Sequence, residues 1–194
     1  MRCVVVGLGV QGRKRVAVAG ADVVATVDPA VATATYRTID QVPLDAYDAA
    51  LVCTPDQTKG DLLSYLLAHG KHVLVEKPLL AEEPGRLREL AQLAASSGVV
   101  CYTAYNHRFE PHIAKLKAVV EAGTLGETYL VRGFYGNGTA MDVKGSSWRD
   151  QGLGVLGDLG SHLLDIVLYV LGGDRKSTRL NSSHSAKSRM PSSA

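Results

Sequence analysis

Little in this 194-residue chain points to a membrane, a disulfide framework or a nucleic-acid surface. No uninterrupted apolar run approaches the roughly 20 residues that a membrane helix needs. Met1-Arg2-Cys3-Val4-Val5-Val6-Gly7 enters strand-like sequence at once, with no signal-peptide pattern. A soluble, cytoplasmic protein with no membrane partner is the expectation. Cys3, Cys53 and Cys101 sit singly in apolar stretches, and no Cys/His spacing suits zinc, so the thiols read as buried and reduced and no metal is expected. No internal repeat is visible.

A basic face is missing as well. The last 21 residues, 174–194, hold five of the 21 Lys/Arg and one of the 19 Asp/Glu, which leaves 16 basic against 18 acidic residues elsewhere. The net charge of +2 therefore belongs to the tail, and a nucleic-acid partner is not expected. That tail is rich in serine and has neither aromatic residues nor apolar periodicity. Residues 174–184 resemble a frame translation of a sequencing-adapter oligonucleotide, and Ser188-Arg189-Met190-Pro191-Ser192-Ser193-Ala194 resembles its continuation. Residues 174–194 are accordingly expected to be a non-native, disordered tail, with the biological sequence stopping near Gly173 as a truncated product.

What is present is an alternation of short apolar runs and helical patterns. Residues 2–6, 23–27, 48–53, 72–76 and 99–105 read as strands rich in Val, Ala, Leu, Cys or Tyr. Helices are predicted at 61–68 and 84–95, closed by Gly70 and Gly98, and at 110–122 and 158–171, with a further strand at 127–134. Near-continuous apolar strands separated by helices predict an α/β fold with a doubly wound parallel Rossmann sheet. The expected division is a dinucleotide-binding domain at 1–106, then the truncated start of an α+β open-sheet substrate domain at 107–173.

Gly7-Leu8-Gly9-Val10-Gln11-Gly12 follows the first strand directly. Glycine there permits a tight turn, close approach of backbone to a pyrophosphate, and close helix packing, while the helix N-terminus offers N–H donors. Such a motif is weak alone. Asp28, at the end of the second strand, strengthens it, because its carboxylate would accept the adenosine ribose hydroxyls and repel a 2′-phosphate. NAD is the expected cofactor. Arg13-Lys14-Arg15 reads as a solvated helix face, although its charge could lean toward phosphate and keeps NADP open as the alternative.

Three more stretches complete a pattern: Cys53-Thr54-Pro55, Glu76-Lys77-Pro78, and Gly152 to Asp165 with its Asp158-x-x-x-His162 spacing. In order and spacing, residues 1–173 resemble the family of glucose-fructose oxidoreductase, inositol dehydrogenase and rhizopine-catabolism proteins. The resemblance implies an NAD(P)-dependent oxidoreductase moving hydride between nicotinamide and a secondary alcohol of a sugar, cyclitol or nucleotide sugar. It implies cofactor contacts from Gly7, Gly9, Val10, Gln11, Gly12, Asp28, Thr54, Pro55 and Glu76. It further implies a cis Lys77-Pro78 peptide, His162 as general base, Lys77 on the same substrate oxygen, and Asp158 and Asp165 positioning His162 and sugar hydroxyls. Asn106, Trp148 and Arg149 are candidates for the substrate wall.

Lys77 also has a physical reading of its own, since ligands of open α/β sheets lie at the carboxyl ends of strands. Asp158, His162 and Asp165 fall on one helix face, where the bland alternative is a favourable N-terminal acid and a packed histidine. Asp56 and Lys59 depart from the Asn and His that the family often carries. A small-molecule substrate and a homo-oligomeric full-length protein are the expected partners. This chain alone is expected to be inactive, and a dinucleotide- or sugar-binding sensor without turnover is the competing function.

Overall fold

A computed structural model describes residues 1–80, 83, 85–136 and 156–172 of the chain. Five strands form a single parallel sheet: β1 (Cys3–Val6), β2 (Val23–Val27), β3 (Ala49–Val52), β4 (His72–Val75) and β5 (Cys101–Thr103), in the order β2-β1-β3-β4-β5. Their Val-rich runs suit a pleat buried on both faces. Helices α1 (Val10–Ala19), α2 (Asp56–Ala68) and α3 (Arg86–Ser96) provide the crossovers. The chain first moves outward from β1 to β2, then returns past β1 to β3 and continues to β5. With right-handed connections this reversal puts α1 on one face and α2 with α3 on the other. This is the doubly wound Rossmann arrangement, and its switch point lies between β1 and β3.

The core gathers Val4, Val6, Ala50, Val52, Val73 and Val75 from the sheet with Leu63, Leu66 and Leu67 of α2 and Leu90 and Ala94 of α3. Helix α2 starts five residues earlier than its apolar pattern predicts, at Asp56 rather than Asp61. The reason is Lys59: it is buried, and it opens the inward stripe that continues through Leu63, Leu66 and Leu67.

The described residues fall into two compact units, one containing Met1–Asn106 with residues from 136 to 161, the other containing His107–Tyr135 and residues from His162 onward. The second unit holds α4 (Pro111–Glu121) and α5 (Ser161–Leu171); a single π turn, Leu156–Gly160, precedes α5 along the chain. Proline at the first position of α4 suits that place, where no intrahelical N–H bond is lost.

One expected element does not form. Residues 127–134 join no ladder, and Tyr129, Leu130 and Phe134 are exposed. A strand needs a neighbour to pair its backbone, and among the described residues of this unit there is none. Among the described residues no helix is long and apolar enough to cross a membrane.

Candidate functional site

The carboxyl ends of β1, β3 and β4 meet along one edge of the sheet. Gly7 N–H donates to Val27 O at 2.8 Å, Cys53 N–H to Val6 O at 2.7 Å, and Glu76 N–H to Val52 O at 2.8 Å. The residues just past each strand, Gly7, Asp28, Thr54, Glu76 and Lys77, are thereby held on a common rim.

The three glycines of the turn differ in what they require. Gly7 has φ +89°, and a Cβ there would lie 2.7 Å from Cys53 O. At Gly12 an added Cβ would come within 1.8 Å of Gly7 O, so α1 can pack against the turn only without a side chain. A Cβ on Gly9 would meet nothing within 4 Å. Gly9 is the N-cap of α1 and supplies no capping side chain, which leaves first-turn N–H groups for an anion. An open cradle at Gly9, beside a turn that excludes side chains at Gly7 and Gly12, fits a pyrophosphate. Val10 and Gln11 follow on the exposed first turn.

Asp28 does more than end a strand. Its Oδ2 accepts Leu8 N–H at 2.8 Å, and its Oδ1 accepts Ala30 and Val31 N–H at 2.9 and 3.0 Å. Burial pushes this carboxyl up, but the three N–H donors and Arg37 outweigh it and hold it below the ordinary carboxylate value. An ionised Asp28 thus fixes the glycine turn and stands beside it. Thr54 Oγ1 is buried and has no hydrogen-bond partner among the described residues, another sign of a polar ligand here. Pro55 caps α2 and is exposed.

Glu76 and Arg15 revise the expectation. Arg15 Nε and Nη2 donate to Glu76 Oε1 at 2.9 and 2.5 Å, so Arg15 is an ion-pair partner across the sheet edge rather than part of a solvated face. Arg13 Nε donates to Leu8 O at 3.1 Å, and only Lys14 of the three keeps the simple exposed role. A carboxylate at the end of β4 attracts the guanidinium from α1, which the local sequence does not reveal. The Lys77-Pro78 peptide is cis, and Lys77 is half-buried.

The thiols agree in part with the reading as buried and reduced. All three are free; Cys3 is buried, whereas Cys53 and Cys101 are half-buried. Burial raises all three, Cys53 to about 12, so they stay protonated.

In the second unit His162 is buried, and its ring meets His107 edge-on at 4.6 Å between centroids. Glu110 Oε1 lies 2.5 Å from His107 Nδ1 and Tyr135 Oη lies 2.9 Å from Nε2. An ionised carboxylate can only accept, so Nδ1 carries the proton and the His107 ring is fixed. Glu110 Oε2 also pairs with His112 at 3.1 Å.

Asp165 is engaged differently from its expected role. Its buried carboxylate takes Arg108 Nε at 3.0 and 2.8 Å and also bonds Nη2. A forked guanidinium outcompetes an imidazole three residues along the helix. Asn106 is exposed in a 3-10 turn. Trp148, Arg149 and the side chain of Asp158 lie outside the described residues. A hollow of about 320 Å³ between Leu116, Val120, Leu130, Ile166 and Val170 is nearly all apolar and lacks the convergent polar groups a sugar requires.

Arg15 was weighed from the sequence only as a solvated or phosphate-facing residue and Lys59 only as a departure from the family pattern, while His107, Arg108, Glu110 and Tyr135 were not among the sequence candidates. The run Asn106-His107-Arg108-Phe109-Glu110, dense in polar groups directly after β5, was the available signal for three of them.

Residues 1–105 match the family described as "Oxidoreductase family, NAD-binding Rossmann fold", and residues 113–190 match the "GFO/IDH/MocA C-terminal domain". The second match continues through most of residues 174–194, the stretch whose composition suggests a non-native tail. Scyllo-inositol 2-dehydrogenase (NAD(+)) of Bacillus subtilis is 30% identical over 195 residues, covering 90% of this chain and 55% of the relative. The structure of a putative myo-inositol dehydrogenase from Sinorhizobium meliloti superposes with TM-score 0.69 at 26% identity, over 89% of this chain and 55% of that one. GenD2 from gentamicin A biosynthesis, in complex with NAD, superposes with TM-score 0.73 at 27% identity, over 89% and 54%. The chain spans about half the length of these relatives.

Proposed function

As the chain belongs to the oxidoreductase family with an NAD-binding Rossmann fold, we propose that the protein it represents oxidises a secondary alcohol of a sugar, cyclitol or nucleotide sugar with NAD. The observation that carries this reading is the glycine turn locked by Asp28, with an open cradle at Gly9. Gly7, Gly9 and Gly12 with the first turn of α1, Val10 and Gln11, hold the pyrophosphate. Asp28 accepts the ribose hydroxyls and disfavours a 2′-phosphate. Arg15, neutralised by Glu76, offers that phosphate little. Thr54 and Pro55 line the cofactor side, while Glu76 supports it through Arg15. NAD, when bound there, would supply the hydride acceptor, and proton handling falls to the protein.

His162 removes the hydroxyl proton, and Lys77 hydrogen-bonds the same oxygen. The Glu110-fixed ring of His107 supports His162, and Asp158 orients it. Asn106, Trp148 and Arg149 contribute to the substrate wall, and Asp165 does so through Arg108. Residues 1–106 form the cofactor domain and 107–173 begin the substrate domain. The reaction is cytoplasmic, in keeping with three free protonated thiols, and the whole protein self-associates, in keeping with the apolar residues exposed in the second unit.

The test is to assay a protein of the relatives' length that carries this sequence, with NAD and a panel of inositols, aldoses and nucleotide sugars. His162→Ala and Lys77→Ala are each expected to lose about 10²- to 10⁴-fold in kcat/KM while still binding NADH. The chain as given, about half the length of its relatives, should bind NADH without turnover, because hydride transfer needs alcohol and nicotinamide held together in a near-attack geometry. Unchanged rates in both variants would overturn the assigned roles.

A further inference from the structure

Lys59 occupies a place where a hydrophobic side chain would be expected. It opens the inward stripe of α2 and is only 2% exposed. An ammonium in such a position is tolerated when its protons are all bonded. Here the three protons have three acceptors: Asp56 Oδ1 at 2.6 Å, Glu76 O at 2.7 Å and Pro78 O at 2.7 Å. Lysine carries three donors and no acceptor, so the set is complete.

The identity of the two carbonyls is the informative part. They belong to the residues immediately before and after Lys77. A lysine serving the core alone could use any acceptors, and a leucine would fill the same stripe without a buried charge. This one instead pins both ends of the tripeptide that carries Lys77. The same tripeptide is gripped separately by Arg15 of α1 through the Glu76 carboxylate. Asp56, less buried than Lys59, supplies the counter-charge that fixes the ammonium.

We propose that Lys59 is a positioning residue for Lys77: held by Asp56, its ammonium clamps the carbonyls of Glu76 and Pro78 and sets the place from which Lys77 meets the substrate oxygen. The inference rests on the reading of Lys77 as the group that bonds that oxygen. It gives a physical role to two residues, Asp56 and Lys59, that depart from the usual family pattern.

The experiment uses the chain as it stands, with Lys59→Met, which keeps the bulk and removes the donors. Competitive acetylation is followed as a function of pH at Lys77, with exposed Lys14 as internal reference, by peptide mass spectrometry. Hydrogen exchange is followed in the segment 76–80 against β3, and NADH binding is titrated separately. In folded Lys59→Met the Lys77 acetylation profile should move while Lys14 stays unchanged. Exchange in 76–80 should rise about 10-fold or more, because charged hydrogen bonds are lost, with β3 unaffected. A purely structural lysine would raise exchange in both segments alike and leave the Lys77 profile in place; that result overturns the proposal.

Should Lys59→Met fail to fold, Asp56→Asn loosens the same ammonium from a less buried position and is read identically, an unmoved Lys77 profile again overturning the clamp. NADH binding with an unmoved profile rejects the clamp and leaves the cofactor reading intact. Absence of NADH binding in the wild-type chain rejects the cofactor reading, and the Lys77 profile still decides the clamp.

Discussion

In the first unit the sheet residues Val4, Val6, Ala50, Val52, Val73 and Val75 meet Leu63, Leu66, Leu67, Leu90 and Ala94 in one closed core, whereas in the second Leu125, Tyr129, Leu130 and Phe134 stand in solvent. The buried residues of α5 are two polar ones, His162 and Asp165, beside Val170. A parallel sheet and its crossover helices bury one another's apolar faces within a single stretch of chain. Among the described residues of the second unit, two helices and an unpaired extended segment do not do so. The order of the second unit therefore leans on directional contacts, His107 with Glu110 and Tyr135, and Arg108 with Asp165. Stability and candidate chemistry are distributed unevenly along the chain.

The largest effect should come from separating the two stretches. Residues 1–106 expressed alone should unfold in one cooperative thermal transition and bind NADH, as a domain with its own core does. Residues 107–172 alone should show no cooperative transition and should bind a hydrophobic dye. A cooperative transition in the second piece would break the comparison.

Within the first unit, two glycines only three residues apart should respond in opposite ways. Gly12→Ala forces a Cβ onto Gly7 O, a backbone atom that cannot swing aside, and should cost about 3 kcal/mol or more by thermal unfolding. Gly9→Ala meets only open space, so the fold should keep its stability while NADH affinity falls. Equal losses of stability at both positions would show that the motif is one structural turn with no reserved ligand side.

The sheet and its switch point were legible because their signals are local: Val-rich runs, a glycine turn, an acid at the end of β2. Lys59 was not, since periodicity counts apolar residues and a buried lysine interrupts the count; the start of α2 was therefore missed by five residues. The Arg15–Glu76 pair joins residues 61 apart, and Arg108–Asp165 joins residues 57 apart, so neither leaves a trace in spacing. Asp165 looked like a partner of His162 because helical spacing permits it. A guanidinium from a distant turn supplied a stronger partner. The strand predicted at 127–134 had the right composition but no neighbour among the described residues, which is the limit of any reading that scores a strand by itself.

The smallest expected effect sharpens the account of the glycine turn and depends on pH. Asp28 is held below the ordinary carboxylate value: burial opposes this, but N–H donors from Leu8, Ala30 and Val31 with Arg37 prevail. A group whose folded value is depressed contributes stability that is fully present above its unfolded value, about 3.9. That contribution is lost as pH falls through the folded value. Asp28→Asn removes the charge and turns one acceptor into a donor facing an N–H, so near neutral pH it should cost about 1 kcal/mol. In acid the wild-type carboxyl protonates and loses the same advantage, so the two proteins should converge. Denaturant midpoints measured for both from neutral pH down through the carboxylate range provide the check. A difference that stays constant into acid would mean that Asp28 holds the turn by shape alone. Convergence would mean that the charge holds it, and that the carboxylate proposed to meet the ribose is ionised wherever the turn is properly formed.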